Sequence, residues 1–216
     1  MNAGPTVPVN AMKSLAITLS FAATLAVGSA ALITAGSGTL NQVVPDNNPS
    51  GWQNTITISG WSGYTVTDVN VVLNITGGWN GDLYGYLVHD TGFAVLLDRV
   101  GKTLAQPYGY SNSGFSVTLD DSVATGIHNA SGSSYTSTAA ITGTWASQSG
   151  NLSSFNTTAV NGSWTLFLAD LSFGDTSTVG SWSLEITAVP EPTTWAAIIF
   201  GGLFGAVQMA RRFRKA

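Results

Sequence analysis

Between residues 55 and 187 short runs with apolar side chains at every second position are separated by turn residues, and none of them reads as a helix. Val69, Val71, Leu73 and Ile75 fall on one face of their segment, while Asn70, Val72, Asn74 and Thr76 fall on the other. Side chains of an extended strand point alternately to opposite faces, so this period commits the chain to β-structure with one face buried. Segments 55–58, 83–88, 94–97, 115–119, 139–142, 164–169 and 182–187 continue the series. Trp164, Leu166 and Leu168 share one face of their segment, as do Trp182, Leu184 and Ile186. A Gly-Gly-Trp-Asn-Gly-Asp turn (77–82) precedes residue 83, and Asp90-Thr91-Gly92 joins 83–88 to 94–97 as a hairpin. About eight short strands with frequent turns predict an all-β fold, a β-sandwich or jelly roll. Residues 36–50 read as a short approach segment, and 120–135 and 143–162 as long polar loops.

Charge narrows the function classes. Charged residues make up 8% of the 216, against roughly 25% in ordinary soluble domains. Between Gly36 and Val189 stand ten acids and two bases, Arg99 and Lys102, a net charge of −8. A body of that sign argues against nucleic acid, whose phosphates demand lysine and arginine. The chain has no cysteine. Disulfides, thiolate metal sites and cysteine nucleophiles are excluded, and the domain must stand on its core. The N-x-[ST] sequons at Asn74, Asn129, Asn151, Asn156 and Asn161 read as β-rich composition.

The two ends carry addresses. Lys13 precedes an apolar stretch (15–27) and the small residues Gly28-Ser29-Ala30-Ala31, the pattern of a secretory signal peptide. Gly28 and Ala30 suit positions −3 and −1, so cleavage is expected after Ala30, with Ala35 the second option; an uncleaved anchor helix is the alternative. The uncharged residues before Met12 leave Met1 or Met12 as the start. At the other end, Val189-Pro190-Glu191-Pro192 is followed by an apolar run (195–210) and by Arg211, Arg212, Arg214 and Lys215. Sixteen helical residues rise roughly 24 Å, short of a ~30 Å hydrocarbon core. Thr193 and Thr194 can extend the run, and arginines can snorkel to headgroups. The expectation is a marginal transmembrane helix over 194–210 with a cytoplasmic basic tail; the alternative is a buried C-terminal helix. The organisation is therefore a signal region (1–35), a sandwich (36–188) and a C-terminal segment (189–216).

This C-terminal arrangement resembles the PEP-CTERM sorting signal of Gram-negative bacteria. The resemblance implies recognition by an exosortase, a membrane cysteine transpeptidase, and processing near the Pro-Glu-Pro. It further implies passage through the inner membrane to the cell surface or extracellular matrix, in the company of exopolysaccharide.

The body, over roughly 44–187, resembles the P domain (P/Homo B domain) of subtilisin-like proprotein convertases. The matching segments are Val44-Pro45-Asp46-Asn47-Asn48-Pro49-Ser50-Gly51, Val66-Thr67-Asp68-Val69-Asn70-Val71, and Gly81-Asp82-Leu83-Tyr84-Gly85-Tyr86-Leu87. The closing block carries Gly162, Trp164, Asp170, Gly174, Asp175 and Trp182. The resemblance implies a jelly-roll sandwich and marks Gly81, Asp82, Leu83 and the closing-block residues as structural. In that family the domain sits beside a protease, and this sequence holds no protease domain.

Catalytic candidates are few. His89 and His128 are the side chains suited to a neutral-pH base, and no Gly-x-Ser-x-Gly elbow occurs. His89-Asp90 reads as an exposed turn pair, and the chain as a non-enzyme. Calcium takes six to eight oxygens, and Asp120, Asp121, Asp170 and Asp175 are the candidate carboxylates, with turn-capping as their alternative role. Trp52, Trp61, Tyr64, Trp79, Tyr84, Tyr86, Tyr108 and Tyr110 could form a sugar-binding face. The expected function is a non-catalytic surface or matrix module, with signal peptidase and exosortase as processing partners. The alternatives are a carbohydrate- or calcium-binding module, or an accessory to a separately encoded secreted subtilase.

Overall fold

The computed structural model describes residues 29–130, 136 and 138–213. Residues 1–28, which hold most of the expected signal region, and the basic residues Arg214 and Lys215 lie outside the described residues. Ten strands and one helix follow in order: β1 (Ala31–Gly36), β2 (Gln42–Val43), β3 (Asn48–Ile58), β4 (Tyr64–Gly77), β5 (Leu83–His89), β6 (Gly92–Asp98), β7 (Gly114–Leu119), β8 (Ile141–Trp145), β9 (Gly162–Asp170), β10 (Ser177–Pro190) and α1 (Pro192–Phe213).

The strands form two sheets. One runs β1-β10-β4-β7-β8, with β2 also on β10; the other runs β3-β9-β5-β6. The named strands pair antiparallel, except that β8 runs parallel to β7. A parallel partner needs a crossover, and residues 120–140 supply it. Val69, Val71, Leu73 and Ile75 of β4 and Leu184 and Ile186 of β10 pack with Trp164, Leu166 and Leu168 of β9 in one core. Trp182 of the larger sheet donates its indole N–H to Asn54 Oδ1 of β3 in the smaller one, at 2.8 Å, and so ties the sheets together.

The expected hairpin is present, with Asp90 and Thr91 linking the paired residues His89 and Gly92. Three boundaries differ from the sequence reading. The sandwich begins at Ala31, not Gly36: β1 pairs with β10 from Ala31↔Ala188 to Gly36↔Ser183 and buries Ile33. The supposed approach segment holds β2 and the start of β3. The run 143–162 is not wholly loop, because β8 extends to Trp145 and a short 3-10 turn, Leu152–Phe155, drives Leu152 and Phe155 into the core.

The C-terminal expectation is also revised. A helix does form over Pro192–Phe213, but among the described residues no helix is long and apolar enough to cross a membrane. Its apolar run is only sixteen residues, glycine and alanine dilute it, and Arg211 and Arg212 fall inside its last turn.

Strand direction gives the sandwich two poles. β10 ends where β1 begins, so both chain ends leave at one pole, beside the 59–63 turn; the Glu191 amide bonds Gly63 O at 2.7 Å there. The connections 78–82, 99–113 and 171–176 gather at the other pole. β4 traverses the distance between them in 14 residues, roughly 45 Å at ~3.3 Å per residue.

Candidate functional site

The pole away from the chain ends is organised around Arg99. Its backbone sits at φ 47°, a left-handed conformation uncommon for a residue with a side chain. From there Nε donates to Gly81 O at 3.0 Å, and Nη2 reaches Asp82 Oδ1 at 3.5 Å and Ser172 Oγ at 3.4 Å. One guanidinium thus joins three connections: 78–82, 99–113 and 171–176. Gly81 makes the approach possible, because a Cβ there would collide with Tyr108 O and lie 2.8 Å from Gly109 Cα. Asn80, wholly buried, grips Gly114 twice: Nδ2 donates to its carbonyl and Oδ1 accepts from its amide, both at 2.8 Å.

The carboxylates behind Arg99 are held under tension. Asp82 is buried, and its carboxyl is pushed up to about 6, first by loss of water and then by the Asp170 carboxylate; Ser172 and Arg99 oppose the shift without cancelling it. Burial likewise raises Asp170. Asp170 Oδ1 accepts from the Ser172 amide at 3.1 Å, and its buried Oδ2 has no hydrogen-bond partner.

The four calcium candidates do not form one site. Asp120 and Asp121 follow the end of β7, near the pole of the chain ends, whereas Asp170 and Asp175 belong to the opposite pole. Asp120 Oδ1 caps its own turn through the Ser122 amide at 2.8 Å. Asp121 is spent on the chain: Oδ1 accepts from Ser147 N at 2.9 Å and Ser147 Oγ at 2.8 Å, and Oδ2 from Leu152 N at 2.6 Å. Among the described residues no group of three or more His, Asp or Glu side chains is placed to hold a metal ion.

His89 is not the exposed turn residue expected. It is 3% exposed and stacks on Trp164, with ring centroids 3.8 Å apart and planes 6° from parallel. Nδ1 lies 3.0 Å from Ser163 O and Nε2 2.7 Å from Ala159 O. Both nitrogens face main-chain carbonyls, so neither is free for a substrate. Asp90 does stand exposed in the turn, at φ 50°.

Two open pockets lie at the Arg99 pole. One, of about 350 Å³, is lined by Gly78, Trp79, Ser111, Ser113, Thr136, Thr138 and Asp175. The Trp79 indole is fixed by donation to Tyr108 O at 2.9 Å. The other, of about 510 Å³, is bordered by Asp98, Arg99, Lys102, Thr103, Leu104, Pro107 and His128. His128 arrives from the β7–β8 crossover and is held by Nε2 to Lys102 O at 3.0 Å. Sequence reading noted Arg99 and Lys102 only as a charge count and weighed His128 only as a base. Their spacing of three residues was the available signal.

No family model matches the chain, and no curated protein matches it. Among solved structures, the Aeromonas sobria serine protease in complex with the chaperone ORF2 aligns at TM-score 0.47 and 15% identity, over 76% of this chain and 28% of that one. The Aeromonas sobria serine protease also aligns at TM-score 0.45 and 14% identity, over 74% of this chain and 27% of the other. The chain therefore spans little more than a quarter of the proteins it overlays.

Of the aromatic set, Tyr84 and Tyr86 lie together on β5, where Phe93 of β6 and Phe167 of β9 join them, with Tyr86 stacked on Phe167 at 4.7 Å. Trp61 and Tyr64 pack edge to face at 5.3 Å near the pole of the chain ends. The eight aromatics named from sequence do not form one face.

Proposed function

We propose that this chain is an exported, non-catalytic β-sandwich module of the cell surface or extracellular matrix, sorted through its Pro-Glu-Pro tail by an exosortase. One observation carries the reading: Ala31 pairs with Ala188, so the segments with the features of a signal peptide and a sorting tail leave from the same pole. A module held by either end would direct its opposite pole, with both pockets, away from the point of attachment. The sorting motif lies at the seam. Val189 and Pro190 finish β10, Glu191 bonds Gly63, and α1 begins at Pro192. The resemblance of the body to P domains accords with a module that binds or stabilises and performs no chemistry of its own, and His89 fits that role as an internal prop.

Cell fractionation of the native bacterium, with intact-mass analysis of the recovered protein, tests the proposal. The expected result is surface or matrix protein starting near Ala31 and shortened near Pro190–Pro192, with the C-terminal segment left uncut when the exosortase gene is deleted. Recovery of the intact chain from the cytoplasm alone would overturn it.

A further inference from the structure

The described part of the sandwich concentrates its positive charge in one place. Arg99 and Lys102 are the two basic residues between Gly36 and Val189, and both line the 510 Å³ pocket with His128. In a body of net charge −8 this convergence calls for an anion. From these residues we infer that the pocket is a binding site for a carboxylated sugar, a uronic acid unit within an oligosaccharide.

Each wall supplies part of that chemistry. Arg99 is pre-positioned by Gly81, Asp82 and Ser172, which engage Nε and Nη2 and leave Nη1 without a hydrogen bond among the described residues. Lys102 is exposed, and no described carboxylate pairs with it; the ion pair found among the described residues is Arg99 with Asp82. A planar guanidinium and a mobile ammonium are the usual partners of a carboxylate. Asp98 and Thr103 add a carboxylate and a hydroxyl to the same wall, and these accept and donate to sugar hydroxyls. A site for a bare anion gains nothing from Asp98.

The apolar wall is held in place against water. Thr103 N bonds Gln106 O at 2.9 Å, and Gln106 N bonds Thr103 Oγ1 at 3.0 Å, which closes a tight turn. The turn presents Leu104 fully exposed (106%), with Pro107 beside it. A rigid apolar tip next to paired polar groups suits the C–H face of a sugar ring. The volume falls within the ~300–1,000 Å³ of small-molecule sites.

The site depends on the surface-module reading for its access to polysaccharide, but its binding chemistry is measured separately from export. The full-length protein in detergent is titrated by calorimetry with trigalacturonate, its methyl ester, polyglutamate and inorganic phosphate. Trigalacturonate binds, the methyl ester binds at least tenfold more weakly, and Lys102→Gln and Leu104→Ser each weaken trigalacturonate by roughly tenfold, on the scale of one charge-assisted or apolar contact. Both substitutions are at exposed positions, and an unchanged thermal midpoint confirms that each variant is folded. No trigalacturonate binding, or binding that both variants leave unchanged, overturns the site. Polyglutamate or phosphate binding as tightly as trigalacturonate overturns the sugar assignment. A negative titration with normal surface export defeats this site alone; a positive one with cytoplasmic protein defeats the export reading alone.

Discussion

Ala31, the first residue of β1, is the register partner of Ala188, near the end of β10. That pairing separates the two signal-peptide cleavage options. Cutting after Ala30 leaves β1 whole. Cutting after Ala35 removes nearly all of it, exposes much of one edge of β10 and strips out buried Ile33. Loss of Ile33 alone costs on the order of 1.5–3 kcal/mol, and an uncovered edge strand invites association. The mature protein is therefore expected to begin at Ala31. A chain engineered to begin at Gly36 should unfold at lower urea and aggregate more readily. Equal urea midpoints for the two forms would refute this.

Asp82 and Asp170 make stability depend on acidity in a direction opposite to the usual carboxylate case. The Asp82 carboxyl is raised from 3.8 to about 6 in the fold, so the folded state holds the proton more tightly than the unfolded chain. Its contribution is fully present below the ordinary carboxylate value and is lost as pH rises through about 6. The loss is of order 2 kcal/mol. Asp170 is raised as well and acts in the same direction. Thermal melts should give a higher midpoint near about pH 5 than near about pH 7.5. Asp82→Asn should flatten the profile across that window. A wild-type midpoint that does not fall on going from the lower to the higher pH would show that Arg99 compensates Asp82 fully.

The strands were legible because each buries one face and leaves the other polar. Val69 to Ile75 on β4 and Trp164 to Leu168 on β9 carry that alternation without interruption, and both runs are core. β1 was hidden because its sequence, Ala-Leu-Ile-Thr-Ala-Gly, directly follows the signal-like segment and its small residues Gly28-Ser29-Ala30 and reads as part of it; its strand pairing is with β10. His89 was misplaced for a related reason. A histidine before a turn looks solvated, and only the fold brings Trp164 and two carbonyls around it. The Arg99 pocket is assembled from 98–107 and His128, and the sequence gap between them conceals the contact with Lys102. The turn-capping role of Asp120 and Asp170 was legible as an alternative, because a carboxylate at a strand end lies within reach of the amide two residues on.

Gly81 is required by a close approach, not by its backbone angle. A Cβ there meets Tyr108 O and Gly109 Cα, backbone atoms that cannot swing aside. Gly81→Ala should push the 78–82 turn away from the 99–113 connection and weaken the Arg99 contacts to Gly81 and Asp82. Overpacking of this kind costs about 1–3 kcal/mol. Gly126→Ala is the matching control, since nothing lies within 4 Å of the added carbon and φ is −72°. Urea unfolding of the two variants should separate them clearly, and equal midpoints would mean that the Tyr108–Gly109 segment yields freely.

The His89–Trp164 stack predicts a structural role that can be told apart from a catalytic one. Trp164 is wholly buried, touches Phe155 at 5.3 Å between centroids and donates its indole N–H to Val160 O at 3.2 Å. His89 covers one face of that indole and sets its two ring nitrogens against the carbonyls of Ala159 and Ser163, which bracket the entry into β9. His89→Phe keeps an aromatic ring for the stack but offers no hydrogen-bond donor to either carbonyl. A buried carbonyl that loses its donor costs on the order of 1–3 kcal/mol, so the variant should lose about that much in urea unfolding. His89→Ala should lose more, because the ring contact with Trp164 goes as well. Amide hydrogen exchange should quicken first around 159–163 in both variants. A His89→Phe protein as stable as the wild type, with exchange unchanged in that segment, would show that these carbonyls find other donors and that the imidazole is kept for something other than the fold.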